Sequence, residues 1–429
     1  MNESIEKRAI ARISWRLLPL VILIYFIAYI DRTNVGFAAL TMNRELGLSS
    51  YIYGWGAGIF FIGYFLFEIP SNLILDKVGA RTWIARIMVT WGVAAAAMAF
   101  VSGPISFLAL RFFLGMAEAG LFPGLILYFT YWYPAAYRGR VISAFYLAAP
   151  ASNAAAATIS GLFLQMDGLC GIAGWKWMFV LEALPAILVG LVVLRYLTEN
   201  PTAATWLPAE EKLWLAEQLR TERAAIAERQ PRTMLRALAD RRVMSLALIY
   251  FALNCSSYGI TFFLPQIVKQ LGLSSLRTGF VTAIPYLAGT LGMLLWGWSS
   301  DRHRERRWHL IMAALVAAFG LAVAGSLPGT WTVAAISIAA VGLYATKPPF
   351  WPLPSLFLTG RSAAAGIAMI NAIGNLGGFF GPYMVGWVKD STNSFTMALY
   401  GLAACALAAA GVAFLTVNPV HPAVPSSAP

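Results

Sequence analysis

The chain has 429 residues, 59% of them hydrophobic and only 12% charged, about half the charged share usual for soluble domains. So few charges cannot cover a soluble core of this size, which points to an integral membrane protein. The net charge of +12 is divided among particular loops, which argues against a nucleic-acid-binding face, and three widely separated cysteines (Cys170, Cys255, Cys405) suggest neither a disulfide framework nor a metal cluster.

A bilayer core takes roughly 20 apolar residues per helix. That ruler predicts twelve spans, near 17–41, 52–75, 82–101, 107–130, 139–163, 177–198, 243–266, 277–300, 308–328, 331–355, 362–388 and 395–417. No small-residue cleavage site follows the first apolar segment, and Asp31-Arg32 stands there instead, so it is expected to be a retained first helix. Pro123, Pro150, Pro285 and Pro382 fall inside spans, where membrane helices tolerate them. The fold class expected is all-α integral membrane: residues 1–198 as one six-helix bundle, 199–242 as a linker, 243–417 as a second bundle and 418–429 as a Pro- and Ala-rich disordered tail. Within the linker, Ala209–Glu228 has a helical pattern.

Lys and Arg set the expected orientation. They gather before the first span (Lys7, Arg8, Arg12, Arg16), after the second (Lys77, Arg81), after the fourth (Arg138, Arg140) and after the eighth (Arg302, Arg304, Arg306, Arg307). The alternate loops 101–106 and 329–330 have none, and 389–394 has only Lys389. The positive-inside rule then places both termini in the cytoplasm.

The pentapeptide Leu46–Ser50 returns as Leu271–Ser275, 225 residues later. The same offset carries Gly54 onto Gly279, Asp76 onto Asp301, Lys77 onto Arg302 and Gly161 onto Gly386. Two parallel copies of one unit are implied, and many secondary transporters bind substrate where such repeats meet. The copies differ in chemistry, because Ser256 and Ser257 stand where the first has Asp31 and Arg32.

After the second span comes Asn72-Leu-Ile-Leu-Asp76-Lys77-Val-Gly79-Ala-Arg81, and after the eighth Gly297-Trp-Ser-Ser-Asp301-Arg302. An acid, a tight turn and cations can clasp neighbouring helix ends as a gate, or form a plain basic turn. The first of these loops resembles the signature loop of the major facilitator superfamily, Gly-x-x-x-Asp-Arg-x-Gly-Arg-Arg, with Asn72 in place of its first Gly. Other segments extend the likeness: Tyr29-Ile-Asp31-Arg32-Thr-Asn34, Phe67-Glu68-Ile-Pro70-Ser-Asn72, Arg111-Phe-Phe-Leu-Gly115-Met-Ala-Glu118, and Asn371-Ala-Ile-Gly374-Asn375. Together they resemble the anion:cation symporter family, in its tartrate- and phthalate-permease-like branch. The resemblance implies a twelve-helix carrier in a bacterial inner membrane, importing a small organic carboxylate with protons. It also implies gating by Asp76, Lys77, Gly79, Arg81, Asp301 and Arg302.

Ionisable residues inside a bilayer cost about 2.5–3.5 kcal/mol on insertion scales and are functional candidates. The first span supplies Asp31 and Arg32, with Tyr25 and Tyr29 nearby; the fourth supplies Arg111 and Glu118, seven residues apart and so on one face. These four either fix helix packing as buried ion pairs or form a site, since guanidinium grips a carboxylate with two parallel hydrogen bonds. The family resemblance implies the latter, with Asp31 and Glu118 carrying protons and Arg32 and Arg111 holding the anion. Lys347 in the tenth span either adds a second cation to the site or snorkels or pairs with Glu68. Asn371 is expected to contact substrate, while Asn375 does so or packs helices. Tyr64, Glu68 and Asn72 form a polar stripe on the second span, with Tyr64 expected at the substrate, and Asn254 and Tyr258 read as cavity wall. Glu182 reads as structural.

No nucleophile–base pair, nucleotide loop or metal spacing is visible, so neither an enzyme, an ATP-driven pump nor a cofactor is expected. The partners expected are a small organic carboxylate, protons and the lipid bilayer, with no nucleic acid and the protein a monomer. Abundant aromatics keep an aromatic acid, phthalate- or hydroxyphenylacetate-like, as the alternative substrate. A channel or membrane sensor would need a continuous pore or a signalling domain, and neither is visible.

Overall fold

The computed structural model describes residues 2–146, 148–227, 240–354, 357 and 360–417; the tail expected at 418–429 and residues 228–239 of the linker lie outside them. Every regular element among the described residues is helical. The first span is α1 (Asn2–Thr33) continued by α2 (Val35–Glu45), the second α3 (Ser50–Val78) and the third α4 (Ala80–Ala97). The fourth combines α5 (Pro104–Glu118) with α6 (Leu121–Trp132), the fifth α7 (Ala135–Tyr146) with α8 (Ala148–Phe163), and the sixth is α9 (Gly174–Tyr196). The linker holds α10 (Ala209–Ala227). Spans seven to nine are α11 (Arg241–Lys269), α12 (Ser275–Arg302) and α13 (Arg307–Ser326). The tenth pairs α14 (Thr330–Ala345) with α15 (Lys347–Phe350), the eleventh α16 (Gly360–Asn375) with α17 (Gly377–Thr392), and the twelfth is α18 (Thr396–Thr416). Among the described residues, ten segments are long and apolar enough to cross a membrane. The fifth and eleventh spans, each in two shorter helices, bring the two six-helix bundles to twelve.

The first helix begins well before the expected residue 17. Its polar prefix is pinned by ionic contacts: Arg8 pairs with Glu210 at 3.1 Å and Arg12 with Glu211 at 3.1 Å. Tyr137 donates to Glu6 at 2.7 Å. The linker is therefore docked rather than free, and its Glu222 also takes Arg138 at 2.5 Å.

The repeated glycines explain how the halves meet. A Cβ on Gly54 of α3 would stand 2.4 Å from the Pro382 carbonyl oxygen and 3.3 Å from Gly386 Cα on α17. A Cβ on Gly279 of α12 would stand 2.4 Å from the Ala157 carbonyl oxygen and 3.2 Å from Gly161 Cα on α8. Since Gly54 maps onto Gly279 and Gly161 onto Gly386, this is one contact made twice with the roles of the halves exchanged. Without a hydrophobic drive between helices in lipid, such backbone-to-backbone approach supplies the packing. Both crossings lie toward the end bearing the two Leu-Gly-Leu-Ser-Ser turns, here named the repeat end, and they close it. Asp390 of α17 reinforces the closure by accepting the Ser50 and Tyr51 N–H groups at the start of α3, at 3.0 and 2.7 Å. The equivalent position in the first copy is Gln165, so that cap exists once.

At the opposite, charged end, Gly79 turns the chain from α3 to α4 at φ +98°, a conformation suited to glycine. The carboxylate that closes on this turn is that of Glu199, accepting from the Ala80 and Arg81 N–H groups. Among the described residues Asp76, expected to clasp the turn, meets the Tyr131 hydroxyl at 3.5 Å, and its side chain, with those of Lys77 and Arg81, is exposed. In the second copy Asp301 does form an ion pair, with Arg306 at 2.5 Å, while Arg302 lies over the Trp298 ring.

Candidate functional site

A cavity lies between the halves. The first half contributes Tyr25, Tyr29, Arg32, Thr33, Tyr64 and Asn153; the second contributes Tyr250, Asn254, Tyr258, Tyr344, Lys347, Asn371 and Asn375, with apolar and aromatic residues completing the wall. Several of these polar groups sit where a helix is interrupted. Arg32 lies in the last turn of α1, two residues before the α1–α2 junction at Asn34, Lys347 opens α15 ahead of Pro348-Pro349, and Asn371 lies in the last turn and a half of α16. Glu118 ends α5, where Ala119 is extended and Gly120 left-handed at φ +85°. A Cβ on Gly120 would also come within 2.4 Å of the Ser71 hydroxyl, so the break needs glycine. Discontinuous helices at the midplane are a recurrent way of building carrier sites.

The cavity has one guanidinium and one ammonium, from opposite halves. Arg32 is ion-paired with the buried Glu118 and reaches the Tyr258 hydroxyl across the cavity at 3.4 Å. Its guanidinium lies among the rings of Tyr29, Phe60 and Tyr64, 5.2 to 5.5 Å from their centroids, and its Nε has no hydrogen-bond partner among the described residues. Aromatic faces hold the cation without neutralising it. Lys347 donates to Asn254 at 3.1 Å and lies 4.7 Å from the Tyr250 ring centroid. Neither snorkelling nor a Glu68 pair describes it: Glu68 accepts instead from Asn371, at 2.9 Å, a bond that joins the two halves. Asn153 joins them again, donating to the Tyr344 hydroxyl at 2.8 Å.

Two residues expected at the site stand apart from it. Arg111 is wholly buried, donating to the Gly56 carbonyl at 3.0 Å and the Ala57 carbonyl at 3.2 Å on α3. It does not face the cavity, so in this conformation it ties the fourth span to the second and the expected grip on a substrate carboxylate has no geometry. Asp31 also faces away from the cavity, accepting from the Trp91 indole N–H at 2.7 Å. Sequence reasoning missed Asn153, Tyr146, Tyr250 and Tyr344 as lining residues. An asparagine in the fifth span was the available signal for the first of them. Arg111→Ala is expected to lower the thermal midpoint by several degrees, by freeing two buried carbonyls, while changing ligand affinity of the folded protein less than threefold; thermal unfolding and equilibrium binding check the two parts.

Twelve spans in two bundles around a central polar cavity define a membrane carrier. The sequence matches the Major Facilitator Superfamily over residues 21–382, and the chain belongs to that family of transporters, not to an enzyme class. It is 51% identical over 404 residues to "Putative tartrate transporter" of Agrobacterium vitis, covering 94% of this chain and 93% of that one. It is 44% identical to "Quinolone resistance transporter" of Acinetobacter baumannii, covering 92% of each. Among solved structures, it is similar to a bacterial homologue of the human lysosomal transporter Spinster in an inward-facing and occupied conformation, with TM-score 0.76, 18% identity, and 93% and 96% of the two chains covered.

Proposed function

We propose that the protein is a proton-coupled importer of a small hydroxy- or dicarboxylate resembling tartrate, working by alternating access in a bacterial inner membrane with both termini cytoplasmic. The observation that carries this reading is that Arg32 of the first half and Lys347 of the second line one cavity. Two cations suit an anion charged at both ends, and the asparagines and tyrosines between them suit hydroxyl groups. The tartrate name borne by a relative covering nearly the whole chain points the same way.

Arg32 is already occupied by Glu118, and that supplies the coupling. A proton on Glu118 removes the charge that holds Arg32, freeing the guanidinium for the substrate carboxylate. Loss of the proton and the anion on the other side restores the pair. An unpaired arginine in the closed cavity would be costly, which discourages the empty, deprotonated carrier from slipping. Asp31 has no cation partner at hydrogen-bond distance among the described residues and is proposed as a second proton carrier. The repeat end is the outer side in this scheme, and the Asp76 and Asp301 turns act as gates at the inner side.

Purified protein in proteoliposomes tests the proposal. Radiolabelled tartrate is expected to accumulate against its gradient only when the outside is more acidic, and a dissipated pH gradient should stop it. Lys347→Gln is expected to weaken binding of a dicarboxylate roughly tenfold while changing monocarboxylate binding by less than threefold, since one charge-assisted contact is removed. Equal losses for both acids would remove Lys347 from the far-carboxylate role.

A further inference from the structure

A second polar cluster lies inside the first half, away from the cavity. Glu182 of α9 is buried, accepts from Ser160 of α8 at 2.7 Å, and leaves its other oxygen without a geometric hydrogen-bond partner among the described residues. Asn34, only 1% exposed, stands beside it from the first span with its amide placed to interact with the Glu182 carboxyl. Asn34 follows Asp31 by three residues and shares its helix face. Among the described residues Asp31 itself has a free oxygen, lies within electrostatic range of Glu182 and Glu118, and is held by Trp91 of α4. Four spans thus meet around acids with open oxygens and a buried amide, and among the described residues no basic group faces Glu182.

The position of this cluster gives it a direction. Trp175 donates to Glu45 at 2.6 Å, so the start of α9 and the end of α2 share the repeat end. Glu182 is eight residues into α9, roughly 12 Å from that end, whereas Asp31 is fourteen residues from Glu45, roughly 21 Å. Glu182 therefore lies between the repeat end and Asp31, and Asp31 is outside the cavity lining.

We propose that Glu182 is a proton-binding site that relays protons between the repeat end and Asp31 along a route separate from the substrate cavity. A proton taken up on the free Glu182 oxygen makes a neutral acid. When it passes to Asp31 through water between the two acids, the O–H bond on Glu182 breaks, one forms on Asp31, and Glu182 is again a carboxylate accepting from Ser160. The inference rests on the proton-coupled reading above and extends it to a residue outside the cavity.

The test compares pH-gradient-driven accumulation with substrate exchange for wild type, Glu182→Gln, Ser160→Ala and Asp31→Asn in proteoliposomes loaded with tartrate. The expected result is a fall of about tenfold or more in the ratio of accumulation to exchange for Glu182→Gln. For Ser160→Ala, which keeps the carboxyl but removes the hydroxyl that steadies its charged form, the pH profile of uptake should move upward by on the order of one unit. Ser160→Ala decides the matter alone if Glu182→Gln does not fold. Wild-type ratio and profile in the Glu182 and Ser160 variants, with Asp31→Asn defective, would overturn the relay. A wild type that does not accumulate under a pH gradient would instead overturn proton coupling itself.

Discussion

Arg32→Gln is expected to weaken substrate binding by roughly 100-fold, the loss that follows from hydrogen bonds to a charged group worth about 1.5–3 kcal/mol. The same change leaves the buried Glu118 without its cation, and breaking a buried pair from one side costs about 3–5 kcal/mol. Binding and stability therefore fall together in the single variant, and a second substitution separates them. Arg32→Gln with Glu118→Gln should recover most of the stability, because two neutral amides can hydrogen-bond each other, and none of the affinity. Arg32→Lys should recover only part, since an ammonium lacks the planar fork. Thermal unfolding and equilibrium binding on the four proteins check these outcomes. Affinity recovered in the double variant would show that Arg32 acts through Glu118 rather than on the substrate.

The spans were legible in the sequence because length and apolarity are all that a bilayer demands, and because the 225-residue offset fixes the copies against one another. The helix breaks were only partly so. Apolar character runs straight through Ala119-Gly120, so the pattern gives no sign that the chain changes direction there, whereas Gly374, Gly377 and Gly378 did allow a bend at the α16–α17 junction. The pairing of charges was half legible. A spacing of seven puts Arg111 and Glu118 on one face, but it also puts them about 10 Å apart along the axis. At that distance Glu118 meets Arg32, while Arg111 meets α3 where Gly56 and Ala57 leave carbonyls approachable. Small residues at 56–57 were the sign that a buried donor sits opposite. Glu199 was missed for a different reason: its partner is backbone N–H at the Gly79 turn, and backbone donors leave no trace in side-chain spacing.

Gly279→Leu is expected to abolish transport while leaving the protein folded. The glycine lies against the Ala157 carbonyl, with no room for even a Cβ. Overpacking a fixed core costs about 1–3 kcal/mol, but here the two helices belong to different halves and can separate instead. The strain is relieved by opening the repeat end, so the substitution acts on the conformational equilibrium more than on folding. A bias of about 1.4 kcal/mol per tenfold makes 1–3 kcal/mol enough to move a balanced equilibrium by roughly 5- to 150-fold toward the open form. Pseudo-symmetry sharpens the expectation, because Gly54→Leu strikes the same contact in the other copy, against the Pro382 carbonyl. The two variants should therefore look alike: no net uptake, retained thermal stability, and a cysteine placed in the cavity labelled faster from the repeat end. Labelling at that cysteine, with Tyr258→Cys as the reporter on the second half, measures the shift directly. Unchanged labelling would mean that the crossings are rigid packing and that the carrier opens elsewhere. A shift in one variant alone would mean that only one of the two crossings parts in the cycle, and the singly present Asp390 cap would then mark the one that holds.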